Sequence, residues 1–476
     1  RPERLQLALR GSGQGVYIGL GDDCFIVASE PYGVVELTSR FVRMDGETPG
    51  NPENPNASRG QIIDLDGLQA GDLAGIVRKA YDGTDLPVTE ADVITAQITT
   101  RDIDRGDAPH YLLKEISEAP GSFRKTLRGK LIDADDGLRV ELGPETLPAE
   151  VRQRLIDSEP GRGITEILVI GQGTAAVAGE SLAAVLRDDL AGRSIRVEAT
   201  PATELSGFAM RADMSNTLVV AISQSGTTTD TNRTVDLVRG RGAAVLAIVN
   251  RRNSDLTEKA DGVLYTSDGR DVEMSVASTK AFYAQIAAGL LLADQLVELL
   301  TGEVDRPGRA ELLQGMRDLP AAMEATIALR GDIARVAGLH APQRRYWAVV
   351  GNGLNHIAAR ELRIKLSELC YKSIAVDFTE DKKHIDLSAE PMIIVCAAGL
   401  EGSTADDVAK EVAIYRAHKA APIVIASDGQ TRFGSALDAI MVPAVHPRLA
   451  FVLSTVVGHL FGYEAARAID ALADPL

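Results

Sequence analysis

Cysteine is scarce. Cys24, Cys370 and Cys396 are the three in 476 residues, and their spacing fits neither a disulfide framework nor a zinc site. No metal or cofactor site is expected, and a reducing cytoplasm is the expected setting. Positive charge is in deficit as well: 50 Lys and Arg against 67 Asp and Glu leave a net charge of −17. That excludes a nucleic acid or an anionic membrane as partner for the chain as a whole, although a local basic pocket for a phosphate remains open. Apolar runs such as "AFYAQIAAGLLLADQL" are short or broken by polar residues, so none is expected to span a bilayer. No signal peptide is visible. The dinucleotide fingerprint fails too, because "GQGTAAVAG" lacks the third glycine and no suitable acidic residue ends the next strand.

What is present is ordinary for a soluble globular protein, with 45% hydrophobic and 25% charged residues. The length accommodates about three domains of roughly 150 residues. The chain starts at Arg1 and stops at Leu476, which leads us to expect a fragment of something longer.

Up to about residue 100, stretches such as "GVYIGL", "CFIVAS", "VVELTSRFVRM" and "QIIDLD" have the pattern of strands separated by turns. "GETPGNPENPNASRG" reads as an exposed loop. "HYLLKEISEAPGSFRKTLRGKL" predicts two short helices broken at Pro120-Gly121, bridging domains. Beyond about residue 160, apolar strands alternate with helical stretches, which implies parallel strands with crossover helices. The rhythm runs twice. Each run opens on a strand, a Gly-x-Gly turn and a helix, "VIGQGTA" and "VVGNGLN", so an internal duplication is expected. The predicted divisions are 1–104, a linker at 105–150, a first α/β unit at 151–305, a helical linker at 306–334, a second unit at 335–470 and a stub at 471–476.

In open parallel sheets, ligands sit beyond the carboxyl ends of the strands. "VVAISQSGTTTD" places Ser223, Gln224, Ser225, Gly226, Thr227 and Thr228 there, at the mouth of a helix. One hydroxyl would cap that helix. The surplus fits an anion cradle, with donors that add no charge. "VIGQGT", with Gly173 and Thr174, is a weaker turn of the same kind. "EMSVASTKAF" sets Ser275, Ser278, Thr279 and Lys280 around the start of a long helix, and a second helix N-terminus aimed at the same ligand would account for them. Lys365 and Glu368 lie three apart and share a helix face. They form either a solvated ion pair or a catalytic one. Near them, "TEDKKHID" offers His384 in a polar loop.

"SQSGTTTDT" and "VASTKAF" at this separation, followed by a second α/β unit with "KLSELCY" and then "KKH", resemble the glucosamine-6-phosphate synthase family, also called glutamine–fructose-6-phosphate aminotransferases (isomerizing). The resemblance covers about residues 105 to 470. "CFIVASEPYGVVELTSRFVRMDGE" is similar to the tail of the family's glutaminase domain. The fold it implies is α/β: two tandem doubly wound parallel-sheet SIS (sugar isomerase) domains, preceded by an incomplete α+β glutaminase-like (Ntn-type) segment. It implies fructose 6-phosphate and glutamine as substrates and a homodimer or larger homo-oligomer. The sugar phosphate would lie on Ser223, Gln224, Ser225 and Thr228, closed by Gly173 and Thr174, with Val276, Ala277 and Ser278 at the sugar. Glu368 would move a proton between C1 and C2, Lys365 would stand one turn before it, and His384 from a neighbouring subunit would open the ring. A carboxylate held by an ammonium suits a base that must return its proton.

The chain departs from the family pattern. Gln172-Gly173-Thr174-Ala175 replaces Cys-Gly-Thr-Ser, Thr227 replaces a glutamate, and the histidine loop runs Glu380-Asp381-Lys382-Lys383-His384-Ile385 without its glycines. The family's Schiff-base lysine and its glutaminase cysteine have no counterpart here, since Cys24 is expected mid-strand. Two alternatives therefore stay open: an SIS sugar-phosphate binding or regulatory protein, and a simple sugar-phosphate isomerase or deglycase.

Overall fold

"QIIDLD" alternates buried and half-buried positions along Gln61–Asp66, as a strand with one face in a core must. The computed structural model describes residues 3–11, 15–96, 98–100, 102–135, 137–157, 163–384 and 387–472. The chain divides into two units, Arg1–Gly106 with Thr227–Arg233, and Asp107–Gly226 with Thr234–Leu476.

In the first unit, β1 (Arg4–Leu9), β5 (Gln61–Asp66) and β6 (Ile76–Ala80) form an antiparallel sheet. A second antiparallel sheet has the order β3 (Phe25–Ala28), β2 (Val16–Leu20), β4 (Arg40–Met44) and β7 (Val93–Thr95). Ile18 and Val42 from one sheet and Ile63 and Leu65 from the other share a core. Three expectations are corrected here. "VVELTSRFVRM" is a strand only in its second half, because Leu37 and Thr38 N–H both turn back to the Val34 carbonyl. Cys24 is not mid-strand. It precedes β3, and its carbonyl closes a turn on Gly21 N–H at 3.0 Å. The Pro/Asn-rich loop holds one helical turn, α1 (Pro55–Ser58), with proline at its start, where no N–H is needed.

In the second unit, α2 (Tyr111–Leu127) is one helix, not two. Pro120 inside it costs about 3 kcal/mol. The buried face of Leu113, Ile116, Ala119, Phe123 and Leu127, packed on helices later in the chain, offsets that cost. A hairpin of β8 (Leu131–Ala134) and β9 (Gly137–Val140) follows, then α3 (Ala149–Ile156).

The first parallel sheet has β10 (Glu166–Gly171) between β11 (Arg196–Pro201) and β12 (Thr217–Ser223), and then β13 (Ala244–Val249) and β14 (Gly262–Tyr265). Strands β10, β12 and β13 are buried at every residue, as strands covered on both faces are. Its helices are α4 (Thr174–Asp189), α5 (Ala202–Glu204), α6 (Thr229–Arg239), α7 (Asp255–Lys259) and α8 (Lys280–Thr301). The helices α9 (Arg309–Ala328) and α10 (Arg330–His340) lead to a second parallel sheet.

That sheet repeats the order: β15 (Trp347–Gly351) lies between β16 (Ala375–Asp377) and β17 (Met392–Cys396), followed by β18 (Ala421–Ser427) and β19 (Asp438–Val442). Its helices are α11 (Leu354–Cys370), α12 (Thr379–Lys382), α13 (Gly402–Ala417) and α14 (Ala450–Asp470). The repeat extends to backbone angles. Gly173 has φ 55° and ψ −130°, and Gly353 has φ 55° and ψ −132°, each at the cap of the helix after the first strand.

Helix α8 and the stretch Pro447–Asp470 that contains α14 are long and apolar enough to cross a membrane, contrary to the sequence reading. Their apolar windows are 78% and 94% buried inside the protein, because both are central core helices.

Candidate active site

The strand order of the first sheet reverses between β10 and β12, and in open parallel sheets ligands bind beyond the carboxyl ends of the strands at such a switch point. Gly173 follows β10, and the Ser-Gln-Ser-Gly turn follows β12. Ser223 is buried, and its Oγ accepts a hydrogen bond from Gly226 N–H at 3.0 Å. The Gln224 carbonyl accepts from Asn250 N–H at 3.2 Å and Arg251 N–H at 3.3 Å. Gly226 has φ 66°, and a Cβ there would stand 2.0 Å from Ser254 Oγ. Only glycine fits this turn. Thr228 belongs to the stretch Thr227–Arg233 that groups with the first unit, where its carbonyl accepts from Asn232 N–H and Nδ2 at 3.0 and 3.1 Å. The matching turn of the second sheet, after β17, is Ala397-Ala398-Gly399-Leu400. It carries no hydroxyl. The two sheets repeat the same strand order but differ at this turn.

Glu115 and Glu273 hold the "VASTKAF" segment. Glu115 Oε1 on α2 accepts from Met274 N–H at 2.5 Å and Ser275 N–H at 3.2 Å. Burial pushes the Glu115 carboxyl above its ordinary pKa. Glu273 accepts from Thr279 and Ala281 N–H at 2.8 and 3.1 Å, and from Ser278 Oγ at 2.7 Å. The expected second anion-binding helix N-terminus is therefore corrected: a carboxylate of the chain already occupies these donors at the start of α8. Lys280, buried, pairs with Glu118 at 2.7 Å. Val276 is fully exposed and Ala277 buried.

Helix α11 carries the Lys365–Glu368 pair. Lys365 Nζ is 2.8 Å from Glu368 Oε2, with the lysine side chain 2% exposed and the glutamate 44%. The pair is solvated on one side only: Lys365 is buried on a helix packed against α14 and α4, and Glu368 stays partly exposed. Glu361, one turn before Lys365 and wholly buried, stands 3.9 Å from its Nζ. Thr174 Oγ1 donates to Glu361 Oε1 at 3.2 Å, which ties the turn after β10 to the α11 face. His459 on α14 places Nε2 3.4 Å from the same oxygen, and Tyr283 on α8 lies 2.8 Å from its Nδ1. Sequence reasoning missed Glu361, His459 and Tyr283. The i, i+4, i+7 spacing of Glu361, Lys365 and Glu368 was the available signal for the first; nothing local marks the other two.

His384 follows α12. It is exposed, and its ion-pair partner among the described residues is Glu380, at 3.6 Å. This chain does not bring it to Lys365 and Glu368. Ile385, next to it, lies outside the described residues.

A family model described as the SIS domain matches residues 164–294. The glutamine–fructose-6-phosphate aminotransferase (isomerizing) of Mycobacterium tuberculosis is 31% identical over 464 residues, which is 95% of this chain and 67% of the relative. The chain belongs to the glutamine–fructose-6-phosphate aminotransferase (isomerizing) family.

The aminotransferase of Thermus thermophilus is 33% identical over 405 residues, 84% of this chain and 63% of the relative, so the chain spans less than two thirds of that relative's length. The solved C-terminal domain of the Francisella tularensis glucosamine-fructose-6-phosphate aminotransferase aligns with a TM-score of 0.67 at 21% identity, covering 77% of this chain and 98% of that one. Tagatose-6-phosphate ketose/aldose isomerase from Escherichia coli aligns at 0.58 and 18%, over 76% of this chain and 94% of that one. These two likenesses establish a shared fold. Gln172 and Ala175 flank Gly173 (φ 55°, ψ −130°) and Thr174, and Gln172 Nε2 donates to Thr203 Oγ1 at 3.1 Å.

Proposed function

We propose that the protein is a cytoplasmic enzyme that converts fructose 6-phosphate to glucosamine 6-phosphate with nitrogen drawn from glutamine. The observation that carries this reading is the Lys365–Glu368 pair: a buried ammonium bonded to a half-exposed carboxylate. A binding module has no need of such a pair. An isomerase needs one carboxylate that takes a proton from C1 and returns it at C2. Glu368 is that base, and Lys365 orients it from below. Ser223, Gln224 and Ser225, with Thr228 next along the chain, cradle the phosphate. Gly173 and Thr174 close over the sugar, and Val276, Ala277 and Ser278 touch it. His384, exposed on its own chain, opens the ring of sugar bound to a neighbouring copy, so the working form is a homodimer or a larger homo-oligomer.

The test is an assay of the full-length protein with fructose 6-phosphate and glutamine, following glucosamine 6-phosphate, with Glu368→Gln alongside. Product in the parent and a loss of about 10²–10⁴-fold in kcat in the variant support the reading. Saturable fructose 6-phosphate binding, weakened by Ser223→Ala but without product, would assign a binding role instead.

A further inference from the structure

The wholly buried Tyr283–His459 pair has no part in the proposal above, yet it ends on Glu361, the buried neighbour of Lys365. Four elements converge there: α8 brings Tyr283, α14 His459, α11 Glu361 and Lys365, and the start of α4 Thr174. His459 Nε2 stands 3.4 Å from Glu361 Oε1 with no hydrogen bond formed among the described residues; a carboxylate only accepts, so hydrogen on Nε2 is the tautomer that lets the two groups pair. Burial pushes His459 below its ordinary pKa, which favours the neutral imidazole. In that tautomer Nδ1 is an acceptor and the Tyr283 hydroxyl, 2.8 Å away, is its donor. Glu361 Oε1 thus receives Thr174 Oγ1, faces His459 Nε2, and lies 3.9 Å from Lys365 Nζ. Its other oxygen, Oε2, is buried with no hydrogen-bond partner among the described residues.

This arrangement bears on the proton transfer proposed for Glu368. When Glu368 takes the C1 proton it becomes neutral and no longer balances the ammonium at 2.8 Å. Lys365, 2% exposed, cannot turn to water for compensation. Among the described residues Glu361 is the remaining carboxylate within 4 Å of it, and its unpartnered Oε2 is an open acceptor.

Resting on the proposed reaction, we infer that His459 and Tyr283 are positioning residues, which hold Glu361 as a reserve counter-ion for Lys365 while Glu368 carries the substrate proton. Neither touches substrate. Their loss affects the proton-transfer step and leaves the phosphate loop alone.

The experiment uses the full-length protein with Tyr283→Phe, His459→Leu and His459→Gln. Tyr283→Phe keeps the ring and removes one hydroxyl; His459→Gln restores a neutral N–H beside a carbonyl. Tyr283→Phe and His459→Leu are expected to lower kcat about tenfold, the coupling typical of residues in one hydrogen-bond network, with KM for fructose 6-phosphate unchanged. His459→Gln is expected to recover most of the loss. A nitrogen-15 NMR measurement on the histidines, expected to place the His459 proton on Nε2, stands beside the kinetics. An unchanged kcat in Tyr283→Phe, a rise in KM in place of the fall in kcat, or a proton on Nδ1 overturns the inference. Should His459→Leu fail to fold, Tyr283→Phe alone decides the kinetics. Should the parent form no glucosamine 6-phosphate, the proposed reaction is what fails, and the inference, which needs that reaction, falls with it, whatever the tautomer.

Discussion

Lys365 is an ammonium enclosed by its own fold, flanked by Glu361 and Glu368 on the same helix face. Removing one partner of a buried pair leaves the other charge uncompensated, at about 3–5 kcal/mol. Lys365→Met should lose stability of that order in urea denaturation, and adding Glu361→Gln should recover part of it, since the two changes meet in one network. A second prediction concerns acid. Burial holds His459 below the ordinary histidine value of 6.5. The unfolded chain therefore binds a proton that the folded chain refuses, and stability is kept above about pH 6.5 and falls as the pH drops below it, by at most about 1.4 kcal/mol per pH unit. His459→Gln should flatten that acid limb in urea titrations. An unaltered slope would mean that the imidazole is protonated in the fold.

At the scale of elements, the site depends on how closely α11 and α14 approach. Gly458 allows it: a Cβ there would stand 2.1 Å from Leu362 Cγ, and Leu362 is itself fully buried. Gly458→Ala should overpack the contact and cost about 1–3 kcal/mol in the urea midpoint. Much of each element was legible in advance. Apolar runs ending in Gly-x-Gly marked β10 and β15, and their continuous hydrophobicity marked parallel strands covered on both faces. Pro120 was misleading because local propensity favours a break there, whereas the packing of Phe123 and Ile116 keeps α2 whole. The start of α8 misled for another reason: Glu273, which occupies its amides, sits before the helix and carries no local sign of turning back.

For the whole molecule, the prediction is an assembly. His384 faces outward and pairs with Glu380 on its own short helix. A ring-opening role requires a second copy. Sedimentation should give at least twice the 50.6-kDa chain mass, and a monomer would remove the basis for assigning His384 any catalytic part. The sequence by itself determined the repeated α/β order, the hydroxyl-rich turn after β12 and the Lys365–Glu368 spacing, because each is a pattern between neighbours in the chain. Only the tertiary structure decided that Lys365 is buried, that Glu273 rather than a ligand caps α8, and that Tyr283 and His459, 176 residues apart, meet beneath Glu361. Burial and long-range pairing come from packing separate helices together, and no local period records which faces will meet.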